Sequence, residues 1–506
     1  MINSKETNIN ISTSTNINTN TSTSKLIHFI EKYYYLLLAL VFIMLLVNLF
    51  YRIDIPNIDF DEARHGTSAY EMIKNGDYII NTYAYKKDYW NLKPPISFWF
   101  IILGYKLFGF NTLGLRFFSI VSAVITVAIV TSFTRRNHGK TAAIITAAML
   151  ATFTQPILSH CSRGGEADAL YILFYSAAII CTLLTDKGYK YLYLGCFFSA
   201  LAFLTKSWHV FPVCATITLY LLYSGQFKRM KLKQWLLAAL SFLLPILIWA
   251  IVRYSRDGIT FFKGMIGYDL LKRSAVAIEG HIGGPLYYVI AVARNYFYWH
   301  LLLIVAIIFL KPSTFKSLDK NKRAYRLGVI TWFLAPIVLY SMASTKIEWY
   351  ILPVYPPLAI IGGATFSAVL KNSQVKSGLK KLFATAMVIV LICYEVFVIY
   401  SISNFKVNEV QFALREIGQV SPYRGYKLYT AAGSYAEKGS WEQGHLLSAE
   451  LYGDFIPCQG GLKAFLKDSS KDSLLFIRDS EKSHQYIEEY KLKIVLSKNG
   501  YYLLAK

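Results

Sequence analysis

The sequence predicts a polytopic α-helical membrane protein, and three observations carry that prediction. Of the 506 residues, 55% are hydrophobic and 16% charged; an average soluble domain carries roughly 25% charged residues, so the polar surface needed to cover a water-soluble fold is missing. The mean hydropathy is +0.37, and the apolar residues fall in blocks of about 20, the length that crosses a hydrocarbon core of ~30 Å. Basic residues gather in every second connection between blocks, the pattern that marks the cytoplasmic side. A soluble enzyme, a disordered chain and a disulfide-stapled secreted module are excluded. The formal charge of +23, from 53 Lys+Arg against 30 Asp+Glu, sits largely in those connections and implies no nucleic-acid partner.

The elements follow in chain order. Residues 1–25 repeat Asn, Ser and Thr without an apolar core, which reads as a disordered cytoplasmic leader extending to about residue 30 and not as a signal peptide. The run 33–51 is uncharged and forms the first span. Further spans are expected at 117–134, 141–159, 169–185, 191–205, 208–226, 234–252, 286–310, 327–345, 351–370 and 382–402, about eleven in all. Arg135, Arg136 and Lys140 follow the second, Lys187 and Lys190 the fourth, and four basic residues within 228–233 the sixth. Lys311, Lys316, Lys320, Lys322, Arg323 and Arg326 follow the eighth, and four lysines within 371–381 the tenth. With Lys25 and Lys32 ahead of the first span, the N-terminus is cytoplasmic. The long loops 52–116 and 253–285 and the polar tail 403–506 then lie on the outer face, beside a transmembrane domain of residues 31–402. No eukaryotic targeting signal occurs, which points to a bacterial inner membrane. The six cysteines show neither a disulfide framework nor metal spacing.

The ionisable residues of interest lie in the outer connections. The first loop opens Asn57-Ile58-Asp59-Phe60-Asp61-Glu62-Ala63-Arg64-His65, and a helical pattern runs on to Asn75-Gly76. Asp59 with Glu62 three residues later reads as a capping box, whereas Asp61 is either a first-turn acid favoured by the helix dipole or a reactive carboxylate. Lys93-Pro94-Pro95 displays an ammonium on a stiff, extended segment among aromatics; snorkelling at the interface is its ordinary role. Arg163, Glu166 and Asp168 crowd the turn before the fourth span, and Thr205-Lys206 marks another outer turn. Ionisable groups packed against a membrane bundle are costly and default to function. The second long loop carries Asp269, Lys272, Arg273, Glu279 and His281, most of which read as a solvated charged loop. Of the two ionisable groups inside apolar runs, Arg294 is expected to snorkel and Glu395 to pair with a neighbouring helix.

Taken in order, Asp61-Glu62, Lys93-Pro94-Pro95, Arg163 to Asp168, Thr205-Lys206 and Tyr350-Ile351-Leu352-Pro353 resemble the GT-C class of polyprenyl-phosphate-sugar glycosyltransferases. That class includes the protein O-mannosyltransferases and the aminoarabinose transferase that modifies lipid A. The resemblance covers about residues 30–370 and leaves out the tail. It implies that Asp61 is the essential first-loop aspartate and Asp168 a second catalytic carboxylate. It implies that Lys93 and Arg273 hold the donor phosphate with Tyr350 beside it, and that Glu62, Arg163, Lys206 and His281 line the cavity. In the aminoarabinose transferases a glutamate linked with a bound metal precedes the lysine of the Lys-Pro motif. Here that position is Leu92, a departure that bears on both the metal and lipid A specificity: no metal ligand and no certain cofactor is assigned, and a divalent metal stays an open alternative.

The implied donor is a monosaccharide on polyprenyl (undecaprenyl) phosphate, and the acceptor a hydroxyl on a lipid, glycan or protein at the outer face. Cleaving the donor turns a phosphodiester into a monoester, so cations are needed at the leaving group. A carboxylate within reach takes the acceptor proton, and a single displacement inverts the anomeric carbon. The alternative is a transporter or flippase of a lipid-linked glycan, which would carry charges inside its helices and internal repeats; few of the former and no repeat occur. In the tail, 427–430, 446–451, 473–477 and 491–496 read as strands, Asn499-Gly500 as a hairpin turn into 501–505, and 461–467 and 481–490 as helices. A small outer α/β domain is expected.

Overall fold

A computed structural model of the chain describes residues 22–310, 319–433 and 439–506. Residues 1–21 of the predicted leader, and Lys311 and Lys316 of the basic connections, lie outside the described residues. The end of that leader is not disordered: Ser22–Lys32 is a helix, bent 74° from the first span Tyr34–Phe50.

Six helices among the described residues are long and apolar enough to cross a membrane, or eight if each of two bent pairs forms one span. The runs 117–134 and 141–159 fall largely in two helices within Thr112–Ala151, parted as expected at the basic connection, where Gly139 takes φ 86°. Glycine pays no Cβ penalty at positive φ, so the chain turns there without a loop. The runs 191–205 and 208–226 join through the 3-10 turn Ser207–Val210. Conversely, the run 286–310 is two helices, Tyr287–Asn295 and Phe297–Phe309, meeting at 91°. Arg294 lies at that bend, 65% exposed and paired with Glu348 at 2.7 Å. Glu395 accepts a hydrogen bond from the Asn48 amide at 2.9 Å, joining the last and first spans.

The first long connection holds two helices. Phe60–Asn75 ends at Gly76 in the left-handed conformation (φ 67°), and Ile96–Phe108 crosses Thr112–Ala151 closely. A Cβ on Gly104 would lie 2.0 Å from the Gly114 carbonyl oxygen, so only glycine fits that crossing. Asp59 caps Phe60–Asn75 by accepting from the Phe60 N–H at 3.0 Å. Glu62 does not complete a capping box; its carboxylate faces inward to Arg116.

The polar tail contains a five-stranded sheet. Ile456–Pro457, Lys427–Thr430 and Ser473–Arg478 lie parallel in that spatial order, and Tyr501–Ala505 and Lys493–Lys498 complete it antiparallel. Asn499 and Gly500, at φ 51° and 73°, make the hairpin turn. Residues 446–451 are not a strand but part of the helix Gln443–Gly453. That helix is buried from Gly444 to Gly453, between Phe60–Asn75 and Glu409–Val420, and an apolar run closed in on every side lacks the periodicity that separates helix from strand. The tail is tied to the start of the first connection. The Gln411 side chain bonds both the N–H and the carbonyl of Ile58, at 2.7 and 3.0 Å.

Candidate functional site

A cavity of about 300 Å³ opens among the connections at one end of the helices. Its walls come from six separated stretches: 59–65, 90–93, 159–168, Lys206, 269–281 and 347–350. The turns that line a second cavity, at 136–138, 184–187, 224–226 and 321–326, are the basic ones. The alternation seen in sequence therefore survives as two distinct sets of turns.

Local structure explains how each side chain is presented. Asp61 lies in the first turn of Phe60–Asn75, with its side chain 34% exposed and His160 Nε2 at 3.7 Å. The His65 imidazole, one turn on, bonds the Asp61 carbonyl at 2.9 Å. Burial holds His65 below its usual pKa, and Asp61, Lys93 and Asp168 all act on its charge. A neutral ring bonded to a carbonyl through Nδ1 carries its proton there. Its Nε2 is then a buried acceptor, without a partner among the described residues.

Lys93 is held by the turn before it. Asp88 accepts from the Trp90 and Asn91 N–H groups at 2.9 and 3.2 Å and from the Arg64 guanidinium at 2.7 and 2.9 Å. Arg64 also lies over the Tyr83 and Trp90 rings. The Lys93 ammonium then reaches Asp269, with Nζ–O distances of 3.1 and 3.3 Å. Asp269 sits in the π-helical stretch Met265–Lys272, a geometry frequent at functional sites. It also accepts from the Ser207 hydroxyl at 3.0 Å and lies 3.4 Å from Arg273 Nε. Arg273 donates to the Tyr350 hydroxyl at 3.4 Å. Burial opposes the Arg273 charge, but Tyr350, Asp269 and Glu279 outweigh it and hold the guanidinium above its usual pKa.

The connection carrying Arg273 and His281 is fastened to the segment before Tyr350. Ser344, Thr345 and Lys346 donate their backbone N–H groups to the carbonyls of Ser274, Arg273 and His281, at 2.9, 3.2 and 3.0 Å. Asp168, first residue of Asp168–Leu183, bonds the Lys206 ammonium in a pair in which both side chains are 6% exposed. Lys206 also lies 5.2 Å from the Tyr350 ring.

The structure thus brings seven of the nine candidate residues onto one cavity: Asp61, Asp168, Lys93, Arg273 and Tyr350, with Lys206 and His281. Glu62 and Arg163 lie elsewhere, on a neighbouring cavity of about 210 Å³. Glu62 is the buried partner of Arg116, at 2.6 and 2.7 Å, and accepts from the Gly165 N–H at 2.9 Å. Arg163 donates to the carbonyls of Leu49 and Tyr51 at 3.0 and 2.7 Å and to that of Asn48, closing the C-terminal end of the first span. Buried charges and open carbonyls must find partners, and these two side chains meet that need.

Sequence reasoning missed three members of the cavity. Asp269 was indistinguishable from other acids of a charged loop. His160 and Trp349 carry no motif, yet their rings stack in parallel with centroids 3.8 Å apart. No three His, Cys, Asp or Glu side chains converge as a metal site among the described residues. Leu92 is itself buried and packs toward Gly264.

Comparison with solved structures gives the architecture its class. The chain superposes on the crystal structure of ArnT from Cupriavidus metallidurans in the apo state with a TM-score of 0.66, at 15% identity, covering 93% of this chain and 97% of that one. The undecaprenyl phosphate-bound form of that protein matches with a TM-score of 0.65. This chain has the GT-C fold. The Archaeoglobus fulgidus oligosaccharyltransferase is a more distant likeness of the GT-C chain, with a TM-score of 0.52 over 87% of this chain and 66% of that one, at 12% identity. A family model described as dolichyl-phosphate-mannose-protein mannosyltransferase matches residues 92–249. An uncharacterised protein of Aquifex aeolicus is 28% identical over 69% of this chain and 66% of its own length. The undecaprenyl phosphate-alpha-4-amino-4-deoxy-L-arabinose arabinosyl transferase 1 of Pseudomonas fluorescens is 24% identical over 65% of this chain and 57% of its own. The GT-C chain therefore spans just under two thirds, or less, of these relatives. It is a multi-pass membrane protein.

Proposed function

We propose that this GT-C chain is an inverting glycosyltransferase that moves a monosaccharide from a polyprenyl phosphate to an acceptor hydroxyl at the extracytoplasmic face of a bacterial inner membrane. One observation carries the reading. A partly open carboxylate, Asp61, shares a single cavity with Lys93, Arg273 and Tyr350, a set of cationic and hydroxyl donors suited to a phosphate. The named likenesses are to transferases rather than flippases.

In this reading the prenyl chain stays in lipid and its phosphate reaches Lys93 and Arg273. Arg supplies a planar fork and Lys a point charge. As the bond between the anomeric carbon and the phosphate oxygen breaks, its electron pair stays on the phosphate and the negative charge there grows. Cations already in place stabilise that charge without reorganising at the moment of reaction. The acceptor oxygen attacks from the other face of the sugar ring while Asp61 takes its proton. Asp168, fixed by Lys206, orients the acceptor or faces the developing positive charge of the sugar. The acceptor is a lipid, a glycan or a Ser/Thr side chain.

The test is reconstitution. Purified protein in proteoliposomes, given a polyprenyl-phosphate-linked radiolabelled sugar and envelope extract, should transfer label and leave free polyprenyl phosphate. Mass spectrometry of envelope glycolipids and glycoproteins, with and without the gene, identifies the acceptor. A product of retained anomeric configuration would refute the single displacement, and absence of any sugar-bearing product across these acceptors would refute the transferase itself.

A further inference from the structure

We propose that the cavity at the other end of the helices binds an anionic phospholipid, its phosphodiester headgroup in a basic pocket and one acyl chain in an apolar groove leading off it. The proposal stands apart from the transferase reading and does not depend on it.

The helix Asp168–Leu183 runs from one cavity to the other, with Asp168 lining the reaction cavity and Leu183 the second one. The second cavity has a volume of about 330 Å³. Among the described residues, Arg136, Lys187, Lys322 and Arg326 line it against one carboxylate, that of Asp186. Lys322 also lies 3.5 Å from Asp319. Such an excess of cations draws an anion. Asn137, Ser224, Gln226 and Asn321 line the same space, three amides and a hydroxyl that suit a headgroup carrying hydroxyls beside its phosphate.

Three separate connections build this pocket. Arg136 and His138 end a helix at the Gly139 break, Lys187 closes the 3-10 turn Thr185–Lys187, and Lys322 and Arg326 lie in the first turns of Lys320–Met342. Asp319 caps that last helix by accepting from the Lys322 N–H at 2.8 Å. His138 Nε2 bonds the Tyr325 hydroxyl at 2.9 Å and ties the first connection to the third.

His138, Tyr325 and Arg326 also line a groove of about 240 Å³, so the two spaces share a wall. The rest of the groove is mostly apolar, with Leu310, Ile330, Ile361, Ala364 and Ala368 along it. Its far residues, Ile330 and Ile360, lie about 15 Å along their helices from the basic ends at Lys320 and Lys371. That is the depth of one leaflet of a ~30 Å core. Basic turns alone satisfy the rule for membrane orientation. A basic pocket enclosed between helices and continued by an apolar groove is what a charged lipid requires. A soluble anion would use the pocket and leave the groove bare, and a polyprenyl phosphate would leave the four uncharged polar side chains without a headgroup hydroxyl. The leaflet is the one away from the reaction cavity, the cytoplasmic leaflet in the topology read from the sequence.

The experiment is native mass spectrometry of the whole protein, delipidated in detergent and titrated separately with phosphatidylglycerol, phosphatidylethanolamine and undecaprenyl phosphate. Melting in inorganic phosphate is followed alongside. Phosphatidylglycerol should bind tightest. The double variant Arg136→Gln, Lys187→Gln alters two exposed side chains and should melt like the wild type, yet bind phosphatidylglycerol about 25-fold more weakly, about fivefold per cation. The pair Lys228→Gln, Arg229→Gln removes the same charge from a basic turn outside the cavity and should weaken binding by no more than about twofold. Ala368→Trp fills the groove at an exposed position and should cost about tenfold, the worth of about two buried methylenes. Equal losses in the two double variants overturn the site, as does wild-type affinity in Ala368→Trp. Tighter binding of undecaprenyl phosphate or phosphatidylethanolamine than of phosphatidylglycerol overturns it too, as does stabilisation by inorganic phosphate alone as large as that by phosphatidylglycerol.

Discussion

Asp61 and Glu62 are neighbouring acids, and the structure demands opposite outcomes when each is neutralised. The Asp61 side chain is 34% exposed, with the His160 imidazole 3.7 Å away. Asp61→Asn should therefore leave stability within about 0.5 kcal/mol of wild type, as exposed substitutions do. As the base, however, it should cost about 10²- to 10⁴-fold in kcat, or about 2.7–5.4 kcal/mol of barrier. The Glu62 carboxylate is 3% exposed and makes three short contacts, to Arg116 at 2.6 and 2.7 Å and to Gly165 at 2.9 Å. Glu62→Gln leaves the Arg116 charge buried and unpaired, a change that costs about 3–5 kcal/mol. Its melting point should fall by roughly 5–10 °C, with the remaining folded protein still turning over. The assay pairs tryptophan-fluorescence melting in detergent with label transfer in proteoliposomes. Normal turnover in Asp61→Asn would reduce that residue to a helix-start acid. A wild-type melting point in Glu62→Gln would refute the buried-pair argument.

Three further outcomes are expected. Lys93→Met keeps the apolar stem but removes the ammonium, so KM for the donor should rise about 10- to 100-fold, the worth of a charge-assisted bond; an unchanged donor KM would refute the phosphate contact. Asp269→Asn removes the carboxylate that holds Lys93 and Arg273 at 3.1 and 3.4 Å. Polyprenyl phosphate should then bind more tightly, by about tenfold on the scale of one charged contact, with kcat limited by its release; binding titrations in detergent decide this. Burial and the nearby Glu71 hold the Glu450 carboxyl well above its usual range, and burial also raises Glu71. A carboxyl raised in the folded state lends its full stability below the unfolded pKa and loses it as pH climbs through the folded value. The melting point should therefore fall from pH 5 toward pH 9, and Glu450→Gln should flatten that slope; an unaltered slope would place the titration elsewhere.

Much of the fold is written in runs of apolar residues, because a bilayer admits few alternatives. Where the reading of spans diverges, the cause is local. The polar residues 135–140 announce the break at Gly139, whereas the run 286–310 hides a bend, at which Arg294 sits. In the site, Asp61, Lys93 and Asp168 are legible because each adjoins a helix start or a proline. Asp269 and His160 are not, since their meaning lies in contacts across 176 and 99 residues of chain, to Lys93 and Asp61. Glu62 and Arg163 misled for a related reason. A charged residue near a motif has the same sequence signature whether it faces a substrate or closes a helix end.

The pattern of pairing in the cavity is itself an argument about function. Charges removed from water must be paired, or they neutralise. Lys93 and Arg273 share Asp269, and Lys206 is matched to Asp168. The cations are thus held in position by carboxylates that, in the proposed reaction, the donor phosphate displaces. A purely structural network would stop there, with every group satisfied. Asp61 breaks the pattern: it is the most open of the three aspartates bearing on these cations, and its neighbour is an imidazole with an unpartnered nitrogen. An acid left uncommitted beside cations that are committed to one another can accept a proton, and the cations can exchange one anion for another. Those are the two events a sugar transfer from a phosphate carrier requires.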